Sequence, residues 1–107
     1  MDIRIESRNV AMTPRWKTEI ERRMAGLQNG HGDLVHSRVT LTKNRHHKKA
    51  ADVAEAQIVV TLKGRHTLTA RKEDKTFEEA IRAAFTAMET ELHKVREKRA
   101  ARDADAW

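Results

Sequence analysis

A chain of 107 residues with 22 Lys and Arg against 16 Asp and Glu carries a formal net charge of +6, which fits one domain with a modest core and a largely ionic surface. It has no cysteine, which excludes disulfides, thiolate nucleophiles and Cys-ligated zinc together. The basic excess points to nucleic acid or an anionic membrane as partner. No apolar run approaches a membrane span and Met1-Asp2-Ile3-Arg4 has no signal-peptide core, so the reading is a soluble cytoplasmic protein.

Asp2–Arg8 alternates, with Ile3 and Ile5 on one face and Arg4 and Glu6 on the other, the pattern of a half-buried strand. Thr13-Pro14 starts a helix, because Thr at the N-cap accepts a free backbone N–H and Pro at the next position has none to lose. Trp16, Ile20, Met24 and Leu27 form its buried stripe, and the helix ends early at Gly26 and the Gln28–Gly32 turn. A second strand spans Leu34–Thr42, and the polar, basic stretch Lys43–Ala51 reads as a loop. Ala56, Ile58, Val60 and Leu62 then point one way, with Gln57, Thr61 and Lys63 opposed and Val59 an apolar exception on the outer face. Gly64-Arg65 reads as a hairpin turn, and Leu68 and Ala70 carry a fourth strand.

Thr76 followed by Glu79 is a capping box that opens the last helix. Phe77, Ile81, Ala84, Phe85, Met88, Leu92 and Val95 recur at helical steps, and Arg99 and Arg102 then fall on the same face. An inner stripe that turns from Leu and Val to Arg has left the core and faces something acidic. As helix, residues 77–102 would run about 39 Å, against about 20 Å for a six-residue strand, so the basic tip projects past the sheet. The order β-α-β-β-β-α predicts a two-layer α+β domain over 1–102, a four-stranded, mostly antiparallel sheet with both helices on one face. Residues 103–107 form a short acidic tail expected to fray.

Three basic clusters could meet phosphate. Lys43, Arg45, Lys48 and Lys49 stand against Asp52 alone. Lys94, Arg96, Lys98, Arg99 and Arg102 outnumber Glu91 and Glu97. Arg8, Arg15, Lys17, Arg22 and Arg23 are partly offset by Glu19 and Glu21. Solvation alone accounts for many charged helix faces, but three clusters coincide here with a net excess. If six to ten of these cations contact phosphates, affinity falls by about 10³–10⁵ between 50 and 200 mM salt. The aromatics are Trp16, Phe77, Phe85 and Trp107, none on a predicted strand. Base stacking on a sheet is therefore disfavoured, and recognition of a folded RNA by charge and shape is favoured.

Other chemistry finds no support. His46-His47, with His31 and His36, has no carboxylate or thiolate at a zinc-like spacing, and these histidines are better read as lending conditional charge to a phosphate-facing loop. Ser7 and Ser37 lie in no nucleophile motif, and the four glycines form no phosphate cradle. The sequence predicts no enzyme, no cofactor and no metal.

The opening strand followed by Arg8-Asn9-Val10-Ala11-Met12-Thr13 and a helix resembles the ribosome hibernation factors. This is the family of hibernation-promoting factor and ribosome-associated inhibitor A, also called S30AE or sigma-54 modulation proteins. Asn44-Arg45-His46-His47-Lys48-Lys49 resembles the His/Lys-rich stretch that some members carry between the second and third strands. Phe77-Glu78-Glu79-Ala80-Ile81 stands where members begin their last helix, and its Lys/Arg-rich end matches too. The resemblance runs from residue 1 to about 102 and is to the short form, or to a piece of a longer one. It departs where Lys75-Thr76 replaces an Asp that many members carry, and in the early end and Lys-poor finish of the first helix.

The resemblance implies a fold similar to double-stranded RNA-binding domains. It also implies binding to the small ribosomal subunit and its 16S-type rRNA, in the decoding region, where messenger and transfer RNA are blocked under stress. The matching contact residues are Arg15, Arg22 and Arg23 on the first helix and Lys94, Lys98, Arg99 and Arg102 on the last, followed by Lys48 and Lys49, with Arg8 added from the basic clusters. Two other readings stay open at this stage. One is a general structured-RNA-binding module. The other is a protein-interaction or metal-responsive stress module that uses the open sheet face and the histidine loop.

Overall fold

The computed structural model describes residues 2–46, 51–64 and 66–105, with side chains described over 2–44, 53–64 and 66–97. Six elements follow one another: β1 (Asp2–Arg8), α1 (Pro14–Gly30), β2 (Leu34–His46), β3 (Ala51–Leu62), β4 (His66–Asp74) and α2 (Phe77–Asp105). The sheet order is β1-β2-β3-β4. β1 pairs parallel with β2 across the α1 crossover, whereas β2–β3 and β3–β4 are antiparallel. The α+β architecture expected from the sequence is the one observed.

Local chemistry sets the element ends. Thr13 is the N-cap of α1 in extended conformation, its Oγ1 accepting the Trp16 N–H at 3.1 Å, with Pro14 in the first turn. Gly26 does not stop α1. The helix continues to Gly30, because Leu27 is still drawn into the core at 6% exposure and an interior glycine costs only about 1 kcal/mol. The β3–β4 turn uses Gly64 at φ +89°, a left-handed backbone that a side chain would strain.

The capping box at α2 is half formed. Thr76 Oγ1 accepts the Glu79 N–H at 3.2 Å, while the Glu79 carboxyl is influenced by the nearby Asp74 carboxyl, which raises Glu79 above the usual carboxylate range. Asp74 is held below that range, first by the Lys75 backbone N–H at 2.8 Å and then by Glu79.

β2 and β3 are longer than their apolar alternation implies. Lys43–His46, expected within a loop, continues the ladder opposite Ala54, Val53, Asp52 and Ala51. Backbone pairing there does not need an apolar face, and polar side chains hold one another: Asn44 Nδ2 donates to Glu55 Oε1 at 3.0 Å. His47, Lys48, Lys49 and Ala50 lie outside the described residues. α2 is also longer than expected, taking in Asp103–Asp105 of the acidic tail. Its 29 residues correspond to about 44 Å.

One hydrophobic cluster joins the layers. Ile20, Met24 and Leu27 from α1, Val39 and Leu41 from β2, the even positions 54–62 of β3, and Phe77, Ala80, Ile81, Ala84, Phe85, Met88 and Leu92 from α2 are all buried in it. Trp16 and Val95 pack at its margins. The stripe read from the sequence is thus the stripe that is buried. Met88, with no exposed surface, sits where truncation leaves a cavity. Met88→Ala should cost about 2–5 kcal/mol, and Thr13→Ala, which removes only the α1 cap, about 1 kcal/mol. Chemical denaturation of the two variants checks both values and their order.

Candidate nucleic-acid interface

The two helices run parallel, and each end of the pair is tied by a specific contact. At the start, Trp16 and Phe77 rings meet at 4.6 Å between centroids and the Trp16 indole N–H donates to Glu78 at 3.1 Å. The Glu78 carboxyl lies below its usual range, owing first to its own backbone N–H and then to that indole. At the far end, α1 finishes against the last core turns of α2. β4 ends at Asp74, opposite Ala54, and α2 sets out from there. The extended β2–β3 hairpin therefore leaves the sheet at the pole where the helices begin, and the basic end of α2 lies at the opposite pole. The molecule measures 57 × 30 × 19 Å, so Lys43–His46 of β2 and the C-terminal end of α2 lie at opposite poles.

At the far pole, His31 is 3% exposed. Its Nδ1 accepts Arg96 Nε–H at 2.8 Å and its Nε2 faces Glu89 Oε1 at 2.9 Å. A guanidinium can only donate, so Nδ1 carries the lone pair and Nε2 the proton, which makes the contact with Glu89 a hydrogen bond from a neutral ring. Arg96 also donates to Gly30 O at 3.3 Å and lies 3.7 Å from Asp33 Oδ1. The His93 ring stacks edge-on to His31 at 5.9 Å and approaches Glu89 at 3.2 Å. His31 is thus an interior link between helices and not a charge donor on a phosphate-facing loop, as the sequence suggested. Arg96, grouped by sequence with the binding cluster, is a tether.

Beyond Arg96, α2 continues as helix through Asp105, nine further residues or about 13 Å. Lys98, Arg99 and Arg102 are carried on it. Lys94 is 62% exposed one turn earlier, with Glu91 at 3.5 Å.

Along the helical face, Arg22 and Arg23 both engage Glu19. Arg22 Nη2 approaches its carboxylate at 2.8 Å and Arg23 Nε at 2.7 Å. The hydrogen bonds from Arg22, then Arg23, hold Glu19 below the usual carboxylate range. This clamp is closed above that range and opens as acid protonates Glu19. Any phosphate must compete with Glu19 for these two guanidiniums. Arg15 faces the neighbouring cleft of about 550 Å³ between α1 and α2, and Arg23 and Arg82 line it too. Arg15 and Arg82 have no ion-pair partner among the described residues.

Sequence reading passed over Arg82 because it is a single cation on an otherwise acidic first turn. Its signal was its position one helical step outside the Ile81 stripe, which puts it at the groove. Arg8, exposed and paired with Thr42, stands on the open face of the sheet, away from the helical arginines.

Among the described residues, no group of His, Asp and Glu is placed to hold a metal ion, and no helix is long and apolar enough to cross a membrane. Removing the tether has a distinct signature. Arg96→Ala leaves buried His31 Nδ1 without its donor and should cost about 1–3 kcal/mol. Lys94→Ala, on the exposed side of the same turn, should stay within about 0.5 kcal/mol. Urea unfolding separates the two.

The fold is similar to known structures. A ribosomal subunit interface protein from Coxiella burnetii superposes with a TM-score of 0.78 at 18% identity, over 91% of this chain and 99% of that one. The N-terminal domain of Protein Y from Thermus thermophilus superposes with a TM-score of 0.71 at 25% identity, over 89% and 99%. No curated protein matches the chain in sequence. Residues 3–100 match the family model described as Sigma 54 modulation protein / S30EA ribosomal protein, and the chain belongs to that family.

Proposed function

We propose that this protein is a non-enzymatic, cytoplasmic ribosome-binding factor that holds ribosomes dormant by occupying the decoding region of the small subunit, against 16S-type rRNA. The observation that carries the proposal is the run of α2 to Asp105, nine residues past the tether at Arg96, with Lys98, Arg99 and Arg102 in that stretch of helix. Val95 is the last described α2 side chain that packs against the core, and the proposal assigns the turns beyond it to a partner.

The mechanism is competitive. Lys94, Lys98, Arg99 and Arg102, together with Arg15, Arg22 and Arg23 along the helical face, occupy phosphate positions that messenger or transfer RNA would need. Lys48 and Lys49, which lie outside the described residues, belong to the proposed set on the sequence resemblance. Arg82, on the α1–α2 groove, joins it. The family to which the chain belongs and the name of the Coxiella relative, a ribosomal subunit interface protein, both support association with the ribosome. A general structured-RNA binder is the competing reading, and it lacks the Lys-rich helix start of a double-stranded RNA-binding domain, since Glu78 and Glu79 fill the first turn of α2.

Co-sedimentation with 30S and 70S ribosomes across a salt series, with plain duplex RNA as competitor, tests the proposal. Stoichiometric binding that duplex fails to displace is the expected result, and equal displacement by duplex would reduce the protein to a generic RNA binder. Lys98→Glu with Arg102→Glu should weaken binding at least tenfold and leave the midpoint of global unfolding in place. An unfolded double variant would show the extension to be structural.

Glu19→Gln frees Arg22 and Arg23 and should tighten ribosome binding at low salt, measured by the same sedimentation.

A further inference from the structure

The face of the sheet away from the helices holds an arrangement that the proposed helical interface does not use. Parallel pairing of β1 with β2 sets Arg4 directly beside Arg38, and the row continues through Val59 to Thr69. Both arginines are exposed, and neither has an ion-pair or hydrogen-bond partner among the described residues. Two neighbouring cations on this face, His36 and Arg71, do have one, whereas Arg8 further along β1 does not. His36 lies 3.8 Å from Asp2, and Arg71 reaches Glu55 at 2.6 Å and Glu73 at 3.5 Å. Like charges placed side by side in a sheet destabilise it, so the unpaired couple is a cost to the isolated fold. Between the two side chains lies a cleft of about 420 Å³, lined also by Asp2, His36, Ser37, Val59 and Thr61, with the Asp2 carboxylate turned to His36.

We infer that Arg4 and Arg38 form a second phosphate-binding site, which grips the sugar–phosphate backbone of an RNA segment distinct from the one held by the helices. Guanidiniums match phosphate oxygens with paired, charge-assisted hydrogen bonds. The row offers no aromatic ring, so contact falls on the backbone and not on stacked bases. The site rests on the reading that the protein occupies an RNA-lined cleft of the ribosome. A slab only 19 Å thick inside such a cleft meets RNA on both broad faces, and on the described outer face Arg4 and Arg38 are the two uncompensated cations that stand side by side.

Two measurements test the site. In the first, Arg4→Ala with Arg38→Ala is compared with wild type in ribosome co-sedimentation over salt. Two lost phosphate contacts should lower the slope of log affinity against log salt by about 1.4–1.8. The wild-type excess in affinity should correspondingly shrink by roughly tenfold between 50 and 200 mM salt. An unchanged slope overturns the site, and if Lys98→Glu with Arg102→Glu still abolishes binding, the ribosomal reading stands without it. A wild-type chain that fails to sediment with ribosomes removes both.

In the second, the chain has no native cysteine, so Thr69→Cys and, separately, Thr86→Cys each place a single photocrosslinker, on the sheet row and on exposed α2. Crosslinks to rRNA from both positions support the inference. RNA from position 86 alone, or ribosomal protein from position 69, overturns it and leaves the helical interface intact.

Discussion

The hydrogen bond from Arg96 to His31 is the constraint on which the far half of the molecule depends. It joins the end of α1 to α2 at the level where the sheet stops, and it does so through a ring that is 3% exposed. Because Glu89 takes the other nitrogen of that ring, the imidazole is held in one tautomer and one orientation. With the Trp16–Phe77 contact at the opposite end, the two helices are pinned at both ends over one core. The direction in which α2 leaves the domain is then a property of the fold and not of the solvent.

That geometry changes what a count of basic residues means. Arg96 serves the interior, Arg22 and Arg23 are shared with Glu19, and Arg71 neutralises Glu55, a carboxylate only 7% exposed. A net charge of +6 is therefore not a uniform positive coat. Exposed arginines with no close ion pair among the described residues include Arg15 and Arg82 along the helical groove, and Arg4, Arg8 and Arg38 on the open face of the sheet, whereas Lys94 lies near Glu91. Pairs that are already satisfied contribute little to a polyanionic partner, because they must first be broken.

Much of this was legible in the chain. The helical stripe from Phe77 to Val95, the Thr13-Pro14 start and the alternation from Ala56 to Leu62 are local patterns, and each led to the right element and the right buried face. What was not legible depends on partners far away in sequence. Lys43–His46 is strand because it lies opposite 51–54, which its own polar composition does not reveal. Gly26 sits inside α1 because Leu27 has a core to reach. His31 and Arg96 are 65 residues apart, and only the parallel placement of the helices brings them together. Glu55 follows the alternation faithfully, yet its partners Asn44 and Arg71 come from the two flanking strands. The candidate site was legible in kind but not in layout, since charge clusters in a sequence carry no information about which pole of the fold they occupy.

The parallel course of α1 and α2 has an electrostatic consequence of its own. Aligned helices add their macrodipoles, so the partial negative charge at each C-terminal end, about half an electron, gathers at one pole of the domain. The α1 end is answered directly, by Arg96 against the Gly30 carbonyl. An anion approaching that pole therefore meets two opposed fields, repulsion from the backbone ends and attraction from side chains. The cations of α2 must outweigh the backbone before they can attract anything, which makes the density of Lys and Arg beyond residue 93 a requirement of the helix arrangement as much as of any ligand.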